Sequence, residues 1–207
     1  DVGRITRDYG PGEFVFHEGD PARGIFCIES GSVGVRKGDA EGHTVLLYLS
    51  SAGDTLGYRA FLAGENYQAS AEVLEPSRIC LIEASTVRII LGHNPALGLR
   101  YLARVSRNLG TAEERILHTA TLSVRARLAH LLMVLMERYA ERGVTGPIGF
   151  DLPLSRQDMA SMIGTTPESL SRTIARLEAE KIALFSGRRV TVPDVDRLIR
   201  EFEPTSV

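Results

Sequence analysis

The sequence predicts an α+β chain, with strand-like segments gathered in its first part and helical segments in the rest. Three observations carry that expectation. Short apolar or alternating runs recur at roughly ten-residue spacing over residues 1 to about 83, separated by turn signals, which is the pattern of a small antiparallel barrel or jelly roll. From Pro95 to about Thr119, apolar residues fall three and four apart between charged flanks, the pattern of a long helix. Residues Leu154 to Lys181 read as two short helices joined by a tight turn, with a hairpin after them.

The strand-like runs are Glu13–His17, Gly24–Glu29, Ser32–Arg36, Thr44–Leu49, Ala69–Leu74 and Arg78–Ile82. Turn chemistry separates them at Pro11-Gly12, Glu18-Gly19-Asp20, Ser30-Gly31, Gly38-Asp39 and Ala52-Gly53-Asp54. Ser85–Leu91 then reads as a short helix, stopped near Gly92 and Pro95.

The helix that follows is about 37 Å long at about 1.5 Å per residue. Leu102, Val105, Leu109, Ala112 and Ile116 alternate three and four apart, the a/d seam of a two-stranded coiled coil, with Arg104, Arg107, Glu113, Glu114 and Arg115 beside it. An amphipathic helix packed on its own domain is the plainer reading. The narrow stripe favours a homodimer. The expected organisation is a sensor or effector β-roll over 1–94, a dimerisation helix over 95–120 and a winged-helix domain over 121–207.

Beyond a break near Ala120-Thr121, a helix from Ser123 to about Arg142 offers Leu128, Leu131, Leu132, Leu135 and Met136 as core. Gly143 to Gly149 is a turn-rich loop containing Pro147. In the helix pair, Ser155 caps the first helix and Asp158 completes a capping box. Gly164 suits a left-handed exit, Thr166 caps the second helix, and Pro167 occupies N1. Leu170, Ile174 and Leu177 form one apolar stripe, and Glu168, Ser171 and Arg172 point away from it. Ala183–Phe185 and Arg189–Val192 flank Ser186-Gly187-Arg188 as a hairpin wing, and Pro193 to Glu203 reads as a closing helix with Val195, Leu198, Ile199 and Phe202 inward.

This is the layout of a winged helix-turn-helix, whose second helix enters the DNA major groove with its first residues at base edges. Arg donates two hydrogen bonds to guanine O6 and N7, and Glu accepts from cytosine N4. Arg172 and Glu168 sit one turn apart. An ordinary helical hairpin with a Glu168–Arg172 surface pair is the plainer alternative. Arg188 and Arg189 at the wing tip suit phosphate contacts. A symmetric dimer would present two such helices about 34 Å apart and so require a palindromic site.

The run Glu168-Ser169-Leu170-Ser171-Arg172 resembles the E-x-x-S-R recognition motif of the FNR and FixK branch of the CRP/FNR superfamily of bacterial transcription regulators. The glycine series of the first part, in Glu18-Gly19-Asp20, Ser30 to Val33 and Gly53 to Gly57, is similar to the cyclic-nucleotide-binding β-roll of that superfamily. The resemblance spans essentially the whole chain. It implies that Glu168 and Arg172 read a TGA core and that Ser171 favours the half-site TTGAT. It places Arg156 and Gln157 of the first helix at phosphate, with Thr166 and Ser169 beside them. Pro167 stands where the CRP branch carries an arginine, which removes one base contact. It also implies double-stranded DNA, a second copy of the chain and RNA polymerase as partners.

The ligand cassette departs from the family. Its cyclic-nucleotide binders carry Gly-Glu at the start of a short helix, holding the ribose, and Arg-Ser or Arg-Thr some ten residues on, holding the phosphate. Here the corresponding residues are Gly57-Tyr58 and Gln68-Ala69-Ser70-Ala71, and Arg59 is displaced from the needed position. Gly57, Tyr58, Arg59, Gln68 and Ala69 therefore form a degenerate effector pocket, for which tight cAMP or cGMP binding is not expected. Iron–sulfur sensing needs four ligands. Cys80 aligns with the family's internal ligand, but the N-terminal cysteine cluster is not among these 207 residues. Cys27 and Cys80 both sit in apolar strand-like runs, the setting of buried free thiols. His17, His43, His93, His118 and His130 show no ligand spacing. No cofactor is expected from these residues, with haem left open.

Composition agrees with this reading. With 43% hydrophobic and 24% charged residues, the chain suits one or two globular domains. No apolar run approaches the ~18 residues of a transmembrane helix. The first ten residues lack a hydrophobic signal core, and a cytoplasmic protein is expected. A net charge of −2 counts against a non-specific DNA coater but not against a sequence reader with local arginines. No nucleophile–base–orienter set points to an enzyme. The alternative function is a ligand- or redox-sensing module acting on a protein partner.

Overall fold

The computed structural model describes residues 4–39, 41–42, 44–141 and 146–203. His43, the expected helix end at Arg142 and the start of the following loop lie outside the described residues. The chain forms two compact units that divide between Thr111 and Ala112, inside one long helix.

In the first unit, six strands form one antiparallel sheet that wraps into a roll. They are β1 (Arg4–Tyr9), β2 (Phe14–Phe16), β3 (Gly24–Gly38), β4 (Thr44–Ser51), β5 (Thr55–Leu56) and β6 (Ser70–Glu83). The main path is β1-β6-β3-β4, with β2 on β6 and β5 on β3. Inward-facing Phe16, Phe26, Ile28, Val33, Val35, Leu56, Val73 and Ile79 fill the roll.

Two sequence expectations are corrected here. The runs Gly24–Glu29 and Ser32–Arg36 are one strand, β3, and Ala69–Leu74 and Arg78–Ile82 are likewise one strand, β6. Ser30-Gly31 is therefore no turn but an irregularity within the strand, where the β3–β6 register shifts between Ile28 and Val33. Gly31 has φ 90°, and a Cβ there would lie 2.1 Å from the Ser77 hydroxyl, so the bulge needs glycine. The first strand was not expected at all. β1 is mostly exposed and is held by pairing along β6 from Arg4↔Ile82 to Tyr9↔Ser77, which leaves no apolar pattern to read.

Two short helices follow the strands: α1 (Tyr58–Ala63) between β5 and β6, and α2 (Ala84–His93) after β6. The long helix is α3 (Pro95–Thr121), and none of its residues is buried. The second unit holds α4 (Val124–Tyr139), β7 (Ile148–Asp151), α5 (Arg156–Met162), α6 (Pro167–Ala179), β8 (Leu184–Ser186), β9 (Arg189–Val192) and α7 (Val195–Ile199). Ser123 caps α4 by accepting from Ala126 N–H. Leu128, Leu131, Leu132, Leu135 and Met136 are all buried, as the helical period requires. The wing is a three-stranded sheet in the order β7-β9-β8; β7 falls in what the sequence reads as loop. The closing helix is shorter than expected: Asp194 caps it, Leu198 is buried, and Phe202 lies beyond it against His130.

Candidate functional site

The helix pair is built by its caps. Ser155 Oγ accepts from Asp158 N–H at 3.1 Å, and the Asp158 carboxylate accepts from Ser155 N–H at 3.0 Å, which closes the capping box. At the other end of α5, Thr165 N–H donates to Ala160 O and Gly164 N–H to Ser161 O, the Schellman pattern, with Gly164 at φ 63°. Thr166 then accepts from Ser169 N–H at 3.3 Å, and Pro167 opens α6. Met159, Ala160 and Ile163 of the first helix and Leu170, Ile174 and Leu177 of the second are buried together. That burial fixes which side of α6 faces outward.

The outward side carries Glu168, Ser171 and Arg172, all exposed. The Glu168 carboxyl is held below the usual carboxylate range by its own backbone N–H, then by the Thr166 hydroxyl, with the Arg172 charge assisting. It stays ionised, an acceptor only, at neutral pH. Ser171 donates to Pro167 O at 2.8 Å, so its hydroxyl lone pairs face solvent as acceptors. Arg176, one turn beyond Arg172, is also exposed; the i, i+4 spacing from Arg172 marks it in the sequence.

The residues expected at phosphate are placed unequally. Gln157 and Thr166 are exposed and Ser169 is half-buried. Arg156 is drawn inward: its guanidinium lies 4.6 Å over the Phe185 ring of β8, and Nη1 is buried without a partner among the described residues. Burial pushes Arg156 below its ordinary range, and nearby Glu178 opposes that. At the wing, Arg188 is exposed in the turn, whereas Arg189 Nη1 donates to Asp151 at 3.2 Å across the β7–β9 pair. Glu178 Oε1 accepts from Phe185 N–H at 3.0 Å and ties the wing to α6.

Sequence reasoning missed Arg127. Its guanidinium donates to Ile163 O at 2.7 Å and Leu122 O at 2.6 Å, and reaches Thr119 O and Gly164 O at 3.3 Å. One side chain thus gathers the end of α3 and the turn between α5 and α6. The available signal was an arginine between Ala126 and Leu128, two positions of the α4 core. Arg125 beside it binds Glu180 and Glu201.

In the first unit, the five residues of the expected effector pocket line one cavity of about 140 Å³, together with Tyr48, Glu65 and Tyr67. Gly57 enters α1 at φ 76°. Tyr58 is 4% exposed and packs with Ile25 and Val87. Its hydroxyl accepts from Asn108 Nδ2 of α3 at 2.6 Å, and its ring lies 5.3 Å under Arg104, which binds Asp54 at 2.8 Å. Burial pushes the Tyr48 hydroxyl up, and Arg59 pulls it back by charge and hydrogen bond. Gln68 is exposed and donates to Asn66 O.

A β-roll followed by a winged helix-turn-helix is the layout of a two-domain DNA-binding regulator. Residues 6–94 match the model of the cyclic nucleotide-binding domain, and residues 126–201 match that of the Crp-like helix-turn-helix domain. The chain is 28% identical to the fumarate and nitrate reduction regulatory protein of Vibrio cholerae, over 87% of this chain and 72% of that protein. It is 27% identical to electron transport regulator A of Shewanella oneidensis, over 88% and 72% respectively. Among solved structures, FixK2 from Bradyrhizobium japonicum shares the fold at TM-score 0.85 and 23% identity, over 98% of this chain and 99% of that one. The chain belongs to the CRP/FNR family: it is a DNA-binding transcription regulator, not an enzyme. No helix among the described residues is long and apolar enough to cross a membrane.

The Arg127 arrangement sets an expectation. Arg127→Ala should destabilise the full chain in urea unfolding by about 1.5–3 kcal/mol, the range for hydrogen bonds to a charged group. Arg127→Lys should recover only part, because one ammonium cannot span four carbonyls. An unchanged midpoint for the alanine variant would remove the clamp from the account.

Proposed function

We propose that the chain acts in the cytoplasm as a homodimer on a palindromic TTGAT-like site and regulates transcription through RNA polymerase, without responding to cyclic nucleotides. The observation that carries the DNA reading is the exposed Glu168–Arg172 face at the start of α6, backed by the buried Leu170–Ile174–Leu177 stripe. Glu168, Ser171 and Arg172 take the base contacts. Gln157, Thr166, Ser169 and Arg188 take phosphate contacts. Arg189 contributes less, because Asp151 offsets its charge, and Arg156 supports the wing instead of reaching the backbone.

The dimer reading is supported by the seam. Leu102, Val105, Leu109 and Ile116 are 62%, 37%, 60% and 71% exposed, and Ala112 is exposed with them. Apolar side chains spaced three and four apart along one helix form a continuous stripe that a second helix covers. Leu99, 68% exposed, extends the stripe toward the start of α3.

The cavity argues against cAMP. Tyr58 stands where the family's ribose carboxylate would be, and its hydroxyl is already bonded to Asn108. By the family resemblance Gln68 takes the phosphate cation's position, and it lines the cavity. Burying a phosphate without its cation costs several kcal/mol (about 2–7 for a polar group, more for a charge).

Fluorescence anisotropy on a TTGAT-N4-ATCAA duplex against a scrambled one, at fixed salt, tests the DNA assignment. Arg172→Ala should cost about 1–3 kcal/mol on the specific site and relax discrimination at the contacted guanine. Arg188→Ala should weaken both duplexes alike and reduce the salt slope by about one. An Arg172→Ala protein with undiminished specific affinity would favour a module that acts on a protein partner. Leu109→Glu should convert the dimer to a monomer in sedimentation equilibrium; an unchanged mass sinks the seam. Equilibrium dialysis should find no saturable binding of cAMP or cGMP, and a tight isotherm for either would return the cavity to cyclic nucleotides.

A further inference from the structure

Cys27 of β3 and Cys80 of β6 are direct Cα partners in the antiparallel register. Residues directly opposite each other point to one face, with Cα atoms about 4.5 or 5.5 Å apart. Both values lie within the ~4.4–6.8 Å that a disulfide spans. Both cysteines are free thiols, Cys80 buried and Cys27 half-buried. They lie on the face turned away from the roll's core, because their strand neighbours Phe26, Ile28, Ile79 and Leu81 pack into that core. On the thiol face, Ile25 and Ile82 pack with Tyr58, Val87 and Tyr101. Cys80 Sγ accepts from Arg4 Nε at 2.9 Å.

We propose that Cys27 and Cys80 form a reversible dithiol–disulfide site oxidised by low-molecular-weight disulfides. The accessible Cys27 thiolate attacks one sulfur of the small disulfide, expelling its other half as a thiolate and leaving a mixed disulfide on Cys27. Cys80, opposite it in the register, loses its proton and attacks Cys27 Sγ, expelling the second half. Two protein thiols are oxidised to one disulfide, the small disulfide is reduced to two thiols, and the two cysteine protons end on the departing thiolates. The bridge needs the Cβ atoms to close from the ~4.5–5.5 Å of a cross-strand pair to ~3.5–4.5 Å. Such a bridge is strained and readily reduced, which makes the site reversible. Burial pushes the Cys27 thiol up, with neighbouring Cys80 adding to it, so the first step accelerates as pH rises.

The test incubates the full chain with oxidised glutathione from neutral to about pH 9.5. Thiols are titrated after denaturation, and peptides are mapped without reduction. The expected result is loss of both thiols, a Cys27–Cys80 bridge within one chain, a rate that climbs with pH, and full recovery with a thiol reductant. Cys80→Ser should stop at a glutathione adduct on Cys27. Cys27→Ser, at the half-buried and more tolerant position, should keep its Cys80 thiol. A wild-type chain that stops at the adduct, bridges two chains or keeps both thiols overturns the proposal.

Discussion

The arrangement of the helix pair depends on the Arg127 guanidinium. A helix end leaves its last carbonyls without partners, and a turn between two helices leaves more. Buried carbonyls without donors cost about as much as a lost hydrogen bond each. Arg127 meets two part-buried carbonyls, Leu122 just past α3 and Ile163 at the α5–α6 turn, and the more exposed carbonyls of Thr119 and Gly164, with one planar group. A lysine, with a compact ammonium, has no such fork. The turn sets where α6 begins, and α6 carries Glu168 and Arg172. The exposed Glu168–Arg172 face is therefore tied to the last turn of the long helix by hydrogen bonds.

The sensory unit has its own tie to that helix. Tyr58, at the start of α1, is bonded to Asn108, and Arg104 reaches Asp54 and Thr55 beside β5. These bonds connect one wall of the cavity to α3. A ligand that moved α1 would have to break or re-aim the Tyr58–Asn108 bond, because the Tyr58 ring is buried and cannot swing into water. Replacing a ribose-binding carboxylate by this tyrosine, as the family resemblance has it, therefore exchanges a ligand contact for an internal strut. The cavity's polar side chains are those of Tyr48, Tyr58, Arg59, Glu65, Tyr67 and Gln68, with one carboxylate, Glu65, and one cation, Arg59, among them.

Much of this was legible because local chemistry dictated it. The capping box at Ser155, the exit at Gly164, Thr166-Pro167 at the next start and the Leu170 stripe are rules within four residues, and each holds in the structure. The five cavity residues came from the resemblance to the family's ligand cassette, and they do line one cavity. What escaped was set by distant partners. Gly31 looks like a turn until Ser77 and Pro76 lie against it on the next strand. β1 has no apolar period because it is an edge strand held by backbone pairing. Arg156 looks like a phosphate contact until Phe185 is folded over from the wing. An arginine between the α4 core positions Ala126 and Leu128 was the one sequence signal for Arg127; its acceptors are backbone carbonyls and leave no residue signature.

Charge distribution explains how a chain of net charge −2 reads a polyanion. Several arginines are committed to carboxylates: Arg36 to Glu72, Arg104 to Asp54, Arg125 to Glu180 and Glu201. Those pairs cancel locally and project little field. Arg172, Arg176 and Arg188 are exposed and take part in no ion pair among the described residues. Net charge averages over both groups, whereas DNA responds to the potential within about a Debye length, ~8–10 Å, of the surface it approaches. The exposed arginines of α6 and the wing therefore set a local potential that the net charge does not report.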